Sequence, residues 1–162
     1  MMQDLLRVRD AVIEDIPQIA RIEGESFADP WSAKSFLDSL ANDRMRFLVA
    51  EDGMPAERWS SDESVIVGYV IALVLTEEAE IADIAVAPAE RKRGIGGLLL
   101  DSVIIHLGKT GVRTLYLEVR ESNVAAQVLY KSRGFLQVGR RRGYYRHPVE
   151  DALLLRRDIG VT

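Results

Sequence analysis

The sequence predicts a mixed α/β sheet with helices on both faces. Three observations carry that expectation. Helical and strand periodicities interleave along the 162 residues, the pattern of a layered α/β domain. Val65 to Leu75 is apolar at both parities, as a central strand covered on both sides must be. A glycine-bearing segment, Ala87 to Gly97, stands between a strand and a helix. The length is that of one domain, 1–162, and is enough for one substantial core.

Each element has its own signal. Leu5 to Arg9 alternates apolar and polar residues, as a short strand does. Ile13, Ile16, Ile19, Ala20 and Glu23 recur at helical spacing, with Pro17 tolerated in the first turn. Pro30-Trp31-Ser32 interrupts the chain, and Ser32 caps a second helix reaching about Ala41. Phe47 to Glu51 reads as a strand, and residues 52–64 as a polar loop. Beyond the central strand, Glu80 to Val86 is another, ended by Pro88. Leu98, Leu99, Val103 and Leu107 mark a helix from Gly96 that Gly108 closes. Thr114 to Val119 is a strand and Val124 to Lys131 a helix ended by Gly134. Leu136 to Arg140 and Asp151 to Leu155 are the last strands.

Composition narrows the chemistry. The absence of cysteine excludes a disulfide scaffold, a thiolate metal site and a cysteine nucleophile. With His106 and His147 as the only imidazoles, no histidine-rich metal site is expected. The longest apolar run has 11 residues, short of the ~18 that a membrane span needs. Met1-Met2-Gln3-Asp4 opens the chain without an apolar signal core, so a cytoplasmic protein without membrane attachment is expected. Charge is uneven: residues 1–75 carry 7 basic and 14 acidic side chains, residues 76–162 carry 14 and 11. Arginine outnumbers lysine heavily, which suits phosphate recognition.

The strongest local signal is the run Arg91-Lys92-Arg93-Gly94-Ile95-Gly96-Gly97 at a helix start. Such a turn aims several backbone N–H groups at one point, and the helix dipole adds partial positive charge there. Gly94 and Gly96 let a ligand approach the backbone without a Cβ in the way. The plainer alternative is a strand–helix turn whose glycines serve packing. It is not a Walker loop, since no Gly-Lys-Ser/Thr follows, nor a good dinucleotide fingerprint, since Leu99 stands where the third glycine belongs.

Arg91-x-x-Gly94-x-Gly96 resembles the Gln/Arg-x-x-Gly-x-Gly/Ala signature of the GNAT N-acetyltransferases. Within that family the chain is similar to the bacterial ribosomal-protein-alanine N-acetyltransferases. Pro30-Trp31-Ser32, Leu117-Glu118-Val119-Arg120-x-Ser122-Asn123-x-Ala125-Ala126 and Leu129-Tyr130-x-x-x-Gly134-Phe135 with Tyr144-Tyr145 carry that likeness. The resemblance implies a mostly antiparallel sheet of about six to seven strands, and acetyl-CoA as co-substrate. It also implies that the loop grips the cofactor pyrophosphate and that the N-terminal segment of a ribosomal protein is the acceptor.

Acyl transfer to an amine needs a neutral nitrogen, a polarised thioester and a proton for the leaving thiolate. An α-amine of pKa ~8 is roughly a fifth neutral near pH 7.4, whereas lysine at ~10.4 is about 0.1% neutral. Glu118 is the candidate base. It shares a strand face with Tyr116, opposite Leu115, Leu117 and Val119. The resemblance makes Tyr130 the candidate acid, a phenol that holds its proton at neutral pH and can yield it to a departing thiolate. Asn123 offers an amide to the pantetheine arm or the substrate, and a cap to the following helix. Ile84, Ala85 and Val86 are expected to present backbone groups to the pantetheine, one of which can polarise the thioester carbonyl.

Two charged stretches complete the reading. Lys131, Arg133, Arg140, Arg141, Arg142 and Arg146 form a basic run with interleaved aromatics, for which RNA contact is the lesser expectation, confined to the neighbourhood of the ribosome. Glu14, Asp15, Glu23, Glu25 and Asp29 are expected beside the acceptor channel, attracting a basic peptide. The alternatives are a small-amine or lysine acetyltransferase, a non-catalytic acyl-CoA-binding module and an RNA-associated accessory protein.

Overall fold

The computed structural model describes residues 6–53 and 65–160. In chain order its elements are β1 (Leu6–Asp10), α1 (Ile16–Ser26), α2 (Ala33–Leu40), β2 (Met45–Asp52), β3 (Val65–Leu75), β4 (Glu78–Val86), α3 (Ile95–Lys109), β5 (Thr114–Arg120), α4 (Val124–Ser132), β6 (Leu136–Arg146) and β7 (Val149–Asp158). The strands form one sheet in the order β1-β2-β3-β4-β5-β7-β6. Every neighbouring pair is antiparallel except β4 and β5. This is the mostly antiparallel α/β sheet that the resemblance implied.

Apolar alternation sorts the strands onto two cores. On one face Leu48, Ala50, Val67, Val70, Leu115, Leu117 and Leu155 pack with Leu99, Leu100, Val103 and Leu107 of α3, and with Tyr130 and Phe135 at the end of α4. On the other, Val49, Ile66, Tyr69 and Ile71 meet Ile16, Ile19 and Ile22 of α1 and Phe36 of α2. The second core is rich in rings: Phe36 sits 5.6 Å from Tyr69 and 5.5 Å from Trp31, centroid to centroid. The start of α1 is tied to the sheet by Arg9, whose guanidinium donates to buried Asp15 (2.8 and 2.9 Å) and to Glu51 (3.0 Å). Ser32 caps α2 by accepting from the Ser35 N–H.

Several boundaries differ from the sequence expectation. Gly108 lies inside α3, and the chain turns only after Thr110, at Gly111 with φ +89°. The last two strands are far longer than their apolar runs, because pairing between β6 and β7 carries them on. Most of the 52–64 loop lies outside the described residues.

Candidate active site

The site begins where the sheet parts. β4 and β5 pair only over Glu78–Glu80 and Thr114–Tyr116, although β4 continues to Val86 and β5 to Arg120. Parallel strands that stop pairing leave facing edges, and by the register with β3 it is Ile84 and Val86, not Ala85, whose backbone groups are directed to the β5 side. A cavity of about 570 Å³ opens there. Its wall includes Ile84, Glu118, Asn123 and Tyr130, together with Trp31, Tyr144 and Tyr145. A second cavity of about 550 Å³ continues past Glu118 toward Glu78, Glu80 and Tyr116.

Glu118 and Tyr130 reach this cavity from opposite faces. Glu118 projects from β5 on the α1/α2 side, its carboxylate 2.8 Å from Nε of Arg141 and accepting a hydrogen bond from the Tyr144 hydroxyl. That bond and partial burial hold the Tyr144 phenol above its ordinary pKa, and burial beside Glu118 pushes the Tyr145 phenol up to about 12. Tyr130 belongs to the α3 core, edge-on to Phe135 at 5.9 Å. Burial, with Tyr145 and Asp83 nearby, raises its pKa well beyond a free phenol, so it carries its proton at every physiological pH. Asn123 caps α4 by accepting from the Ala126 N–H at 3.1 Å. The turn before it is pinned by Glu150, which accepts from the Ser122 N–H at 2.7 Å and pairs with Arg120 at 3.1 Å.

The glycine loop stands at the N-terminus of α3. Gly94 is its N-cap with φ +77°, a left-handed conformation that a side chain resists, and nothing lies within 4 Å of the position a Cβ would take. Lys92 also has positive φ (66°), so the turn is held open in a conformation costly to all but glycine. The first helical bond runs from the Leu98 N–H to the Gly94 carbonyl, so the amides of Ile95, Gly96 and Gly97 have no partner within the helix. Gly96 and Gly97 serve packing as well. A Cβ on Gly96 would stand 3.1 Å from Leu129 of α4, and one on Gly97 would overlap the Arg133 guanidinium. Arg91 and Lys92 are exposed; Arg93 bridges Asp52 and Glu90, and the Ile95 side chain is buried in the core.

The acidic residues of the first half are distributed differently from the expected cluster. Asp15 is buried against Arg9, Glu25 pairs with Arg21, and Asp29 sits 2.8 Å from Nδ1 of His147. Of the five, Glu23 and Asp29 reach the cavity wall. Half of the basic run is engaged in ion pairs: Arg133 with Asp101, Arg140 with Glu121 and Asp151, and Arg141 with Glu118.

The sequence reading missed Asp83. Ala82 is an extra residue in β4 where the pairing with β3 slips, Ile71 opposing Asp83 and Ala72 opposing Ile81. Strict alternation would put Asp83 on the α3 face with Ala79 and Ile81. The bulge turns it to the α1 side instead, where Glu23 hydrogen-bonds it and the Tyr69 hydroxyl donates to Glu23 Oε2 at 2.6 Å. Burial first, then Glu23, pushes the Asp83 carboxyl up to about 9.

Residues 16–135 match the model of the acetyltransferase (GNAT) family. The chain belongs to that family. This acetyltransferase is 37% identical over 131 residues to the [ribosomal protein bS18]-alanine N-acetyltransferase of Escherichia coli, covering 81% of each chain. It is 36% identical over 152 residues to the N-alpha-acetyltransferase RimI of Mycobacterium tuberculosis, covering 90% of this chain and 88% of that one. The crystal structure of the Escherichia coli ribosomal-protein-alanine N-acetyltransferase superposes with a TM-score of 0.83 at 32% identity, over 97% of this acetyltransferase and 96% of the other chain. Among the described residues, no group of three His, Asp or Glu side chains could hold a metal ion, and no helix is long and apolar enough to cross a membrane.

Proposed function

We propose that this acetyltransferase moves an acetyl group from acetyl-CoA to a protein N-terminal α-amine, with the N-terminal alanine of a small-subunit ribosomal protein in the cytoplasm as acceptor. The observation that carries the reading is the cavity at the parting of β4 and β5, into which Glu118 and Tyr130 converge from the two faces of the sheet. The names borne by relatives at 36–37% identity support the acceptor class.

Acetyl-CoA supplies the activated acetyl group. The backbone amides from Lys92 to Gly97 hold its pyrophosphate at the α3 N-terminus, with Arg91 and Lys92 adding positive charge and Arg93 bracing the turn through Asp52 and Glu90. The open edge at Ile84 and Val86 holds the pantetheine, and one of its N–H groups polarises the thioester carbonyl. The Asn123 amide nitrogen faces the same arm, its oxygen being spent on the Ala126 cap. Glu118 takes a proton from the acceptor nitrogen, directly or through water, and Tyr130 protonates the departing sulfur. The whole chain, 1–162, acts as one domain.

The deciding experiment incubates the protein with acetyl-CoA and a panel of peptides carrying free N-termini and internal lysines, then locates the acetyl group by mass spectrometry. Acetyl on the α-amine of alanyl peptides is expected. Acetyl on lysines alone overturns the reading.

A further inference from the structure

Two carboxyl groups are buried together in the cavity wall, and the proton transfers above use neither. Glu23 is 2% exposed and Asp83 9%. Oδ2 of Asp83 is buried without a hydrogen-bond donor from the protein. Burial, and Glu23 beside it, favour the protonated form of the Asp83 carboxyl, so the two groups share a hydrogen bond in a site of low polarity. The groups acting on Asp83 are Glu23 and the Ile84 N–H, with no cation among them. Ionising a buried carboxyl without a counter-charge is costly, and a ligand of opposite sign relieves that cost.

Position identifies the ligand. The bulge at Ala82 turns Asp83 to the face of the sheet that Glu118 occupies, on the opposite lip of the same gap. Whatever lies between them meets the candidate base on one side and a buried carboxyl pair on the other. A neutral amide or an anion finds no complement there, whereas an ammonium satisfies both walls. We propose that the Glu23–Asp83 pair is the docking subsite for the acceptor's N-terminal ammonium, holding it between Asp83 and Glu118 before its proton is lost. The inference rests on the α-amine reading and adds to it the residues that recognise the cation. Tyr69, by donating to Glu23, positions the pair.

The pair of carboxyls gives this subsite a signature that a merely structural role lacks. Asp83→Asn and Glu23→Gln each leave one carboxyl group in the pair, so each single variant keeps a group able to meet an ammonium. The double variant leaves the pair without one. The measurement is the affinity of the CoA-loaded protein, by calorimetry, for an alanyl peptide and for the same peptide with propionyl in place of alanyl, which lacks the amine. The wild type is expected to favour the alanyl peptide about tenfold or more, the scale of a charge-assisted hydrogen bond. Each single variant should stay within about threefold of that preference, and the double variant should cut it about fivefold or more, to the remainder that Glu118 supplies, with its melting transition intact. A double variant that keeps the wild-type preference overturns the proposal, as does a wild type with no preference. Should the double variant fail to fold, the pair of single variants decides: a preference already lost in either one overturns the two-carboxyl subsite. The function itself fails separately, if the wild type acetylates no α-amine in the peptide panel.

Discussion

The two faces of the sheet are built differently. Around α3 the core is nearly all aliphatic, and its polar member is Tyr130. Around α1 and α2 it is aromatic and encloses Glu23, Tyr69 and Asp83 at low exposure. Tyr130 belongs to the first face and Glu118 to the second, so an unbroken sheet would keep the proposed acid and base apart. They share a cavity because β4 and β5 stop pairing after Glu80 and Tyr116. The contrast teaches that this site is a property of the opening, with an apolar side that keeps a proton on a phenol and a polar side lined by carboxyl groups.

The sharpest way to break that contrast is to disable one side at a time. Tyr130→Phe removes the proposed proton donor from the apolar face and should lower kcat by about 10²–10⁴-fold, with acetyl-CoA affinity within about threefold of the wild type. Wild-type turnover from pH 6 to 9, with single-turnover rates excluding slow product release, would end the assignment. On the polar face Glu118→Gln should cost about 10²-fold in kcat at neutral pH and leave acetyl-CoA binding nearly unchanged, because the carboxylate is assigned to the acceptor and not to the cofactor. Unaltered kcat there would move the base elsewhere.

Smaller effects sharpen the comparison. Gly94→Val forces a branched residue into a left-handed turn at about 1–2 kcal/mol, so acetyl-CoA affinity should fall about tenfold or more while the isolated fold survives. Gly96→Val should weaken binding and also lower kcat, since its side chain pushes on Leu129, the neighbour of Tyr130. Calorimetry beside steady-state kinetics separates the two, and equal behaviour of both variants contradicts the double duty of Gly96.

The smallest effect is on stability. Asp83 titrates near 9 when folded and near 3.9 when unfolded, so the folded chain holds the extra proton across that window. Its contribution is therefore complete below about pH 4 and drains away as pH rises toward 9. Asp83→Asn removes the drain, and its Tm advantage over the wild type should widen by a few degrees between pH 5 and pH 8. A gap that stays constant with pH contradicts the raised carboxyl.

Much of the architecture was legible because it rests on local rules. The two-sided apolar run gave β3 its full length, Ser32 announced the α2 cap, and Gly134 takes the positive φ that ends α4. The far half of β6 was illegible, since an edge strand exposed on both faces has no burial pattern to read. Gly108 misled because helix termination depends on where the backbone must turn, and that is Gly111. In the site, Glu118 follows from simple alternation along β5. Asp83 could not be found that way, because a single inserted residue reverses the parity of the strand and leaves no mark in the local pattern. Arg93 has the composition of a phosphate ligand, but carboxylates 41 and 3 residues away claim its guanidinium.

The outer strand β6 carries a consequence for how these molecules behave in a crowd. It closes the sheet order, so its far edge has no neighbouring strand among the described residues. A regular, apolar edge of eleven residues would be a template on which another chain could add itself. Here the register slips between Gln137 and Gly139 and again between Arg141 and Tyr145, and three consecutive arginines occupy the middle. Two copies approaching edge to edge would meet backbones out of register and a charged rather than apolar stretch of strand. A rim so interrupted offers an incoming strand no regular ladder to extend.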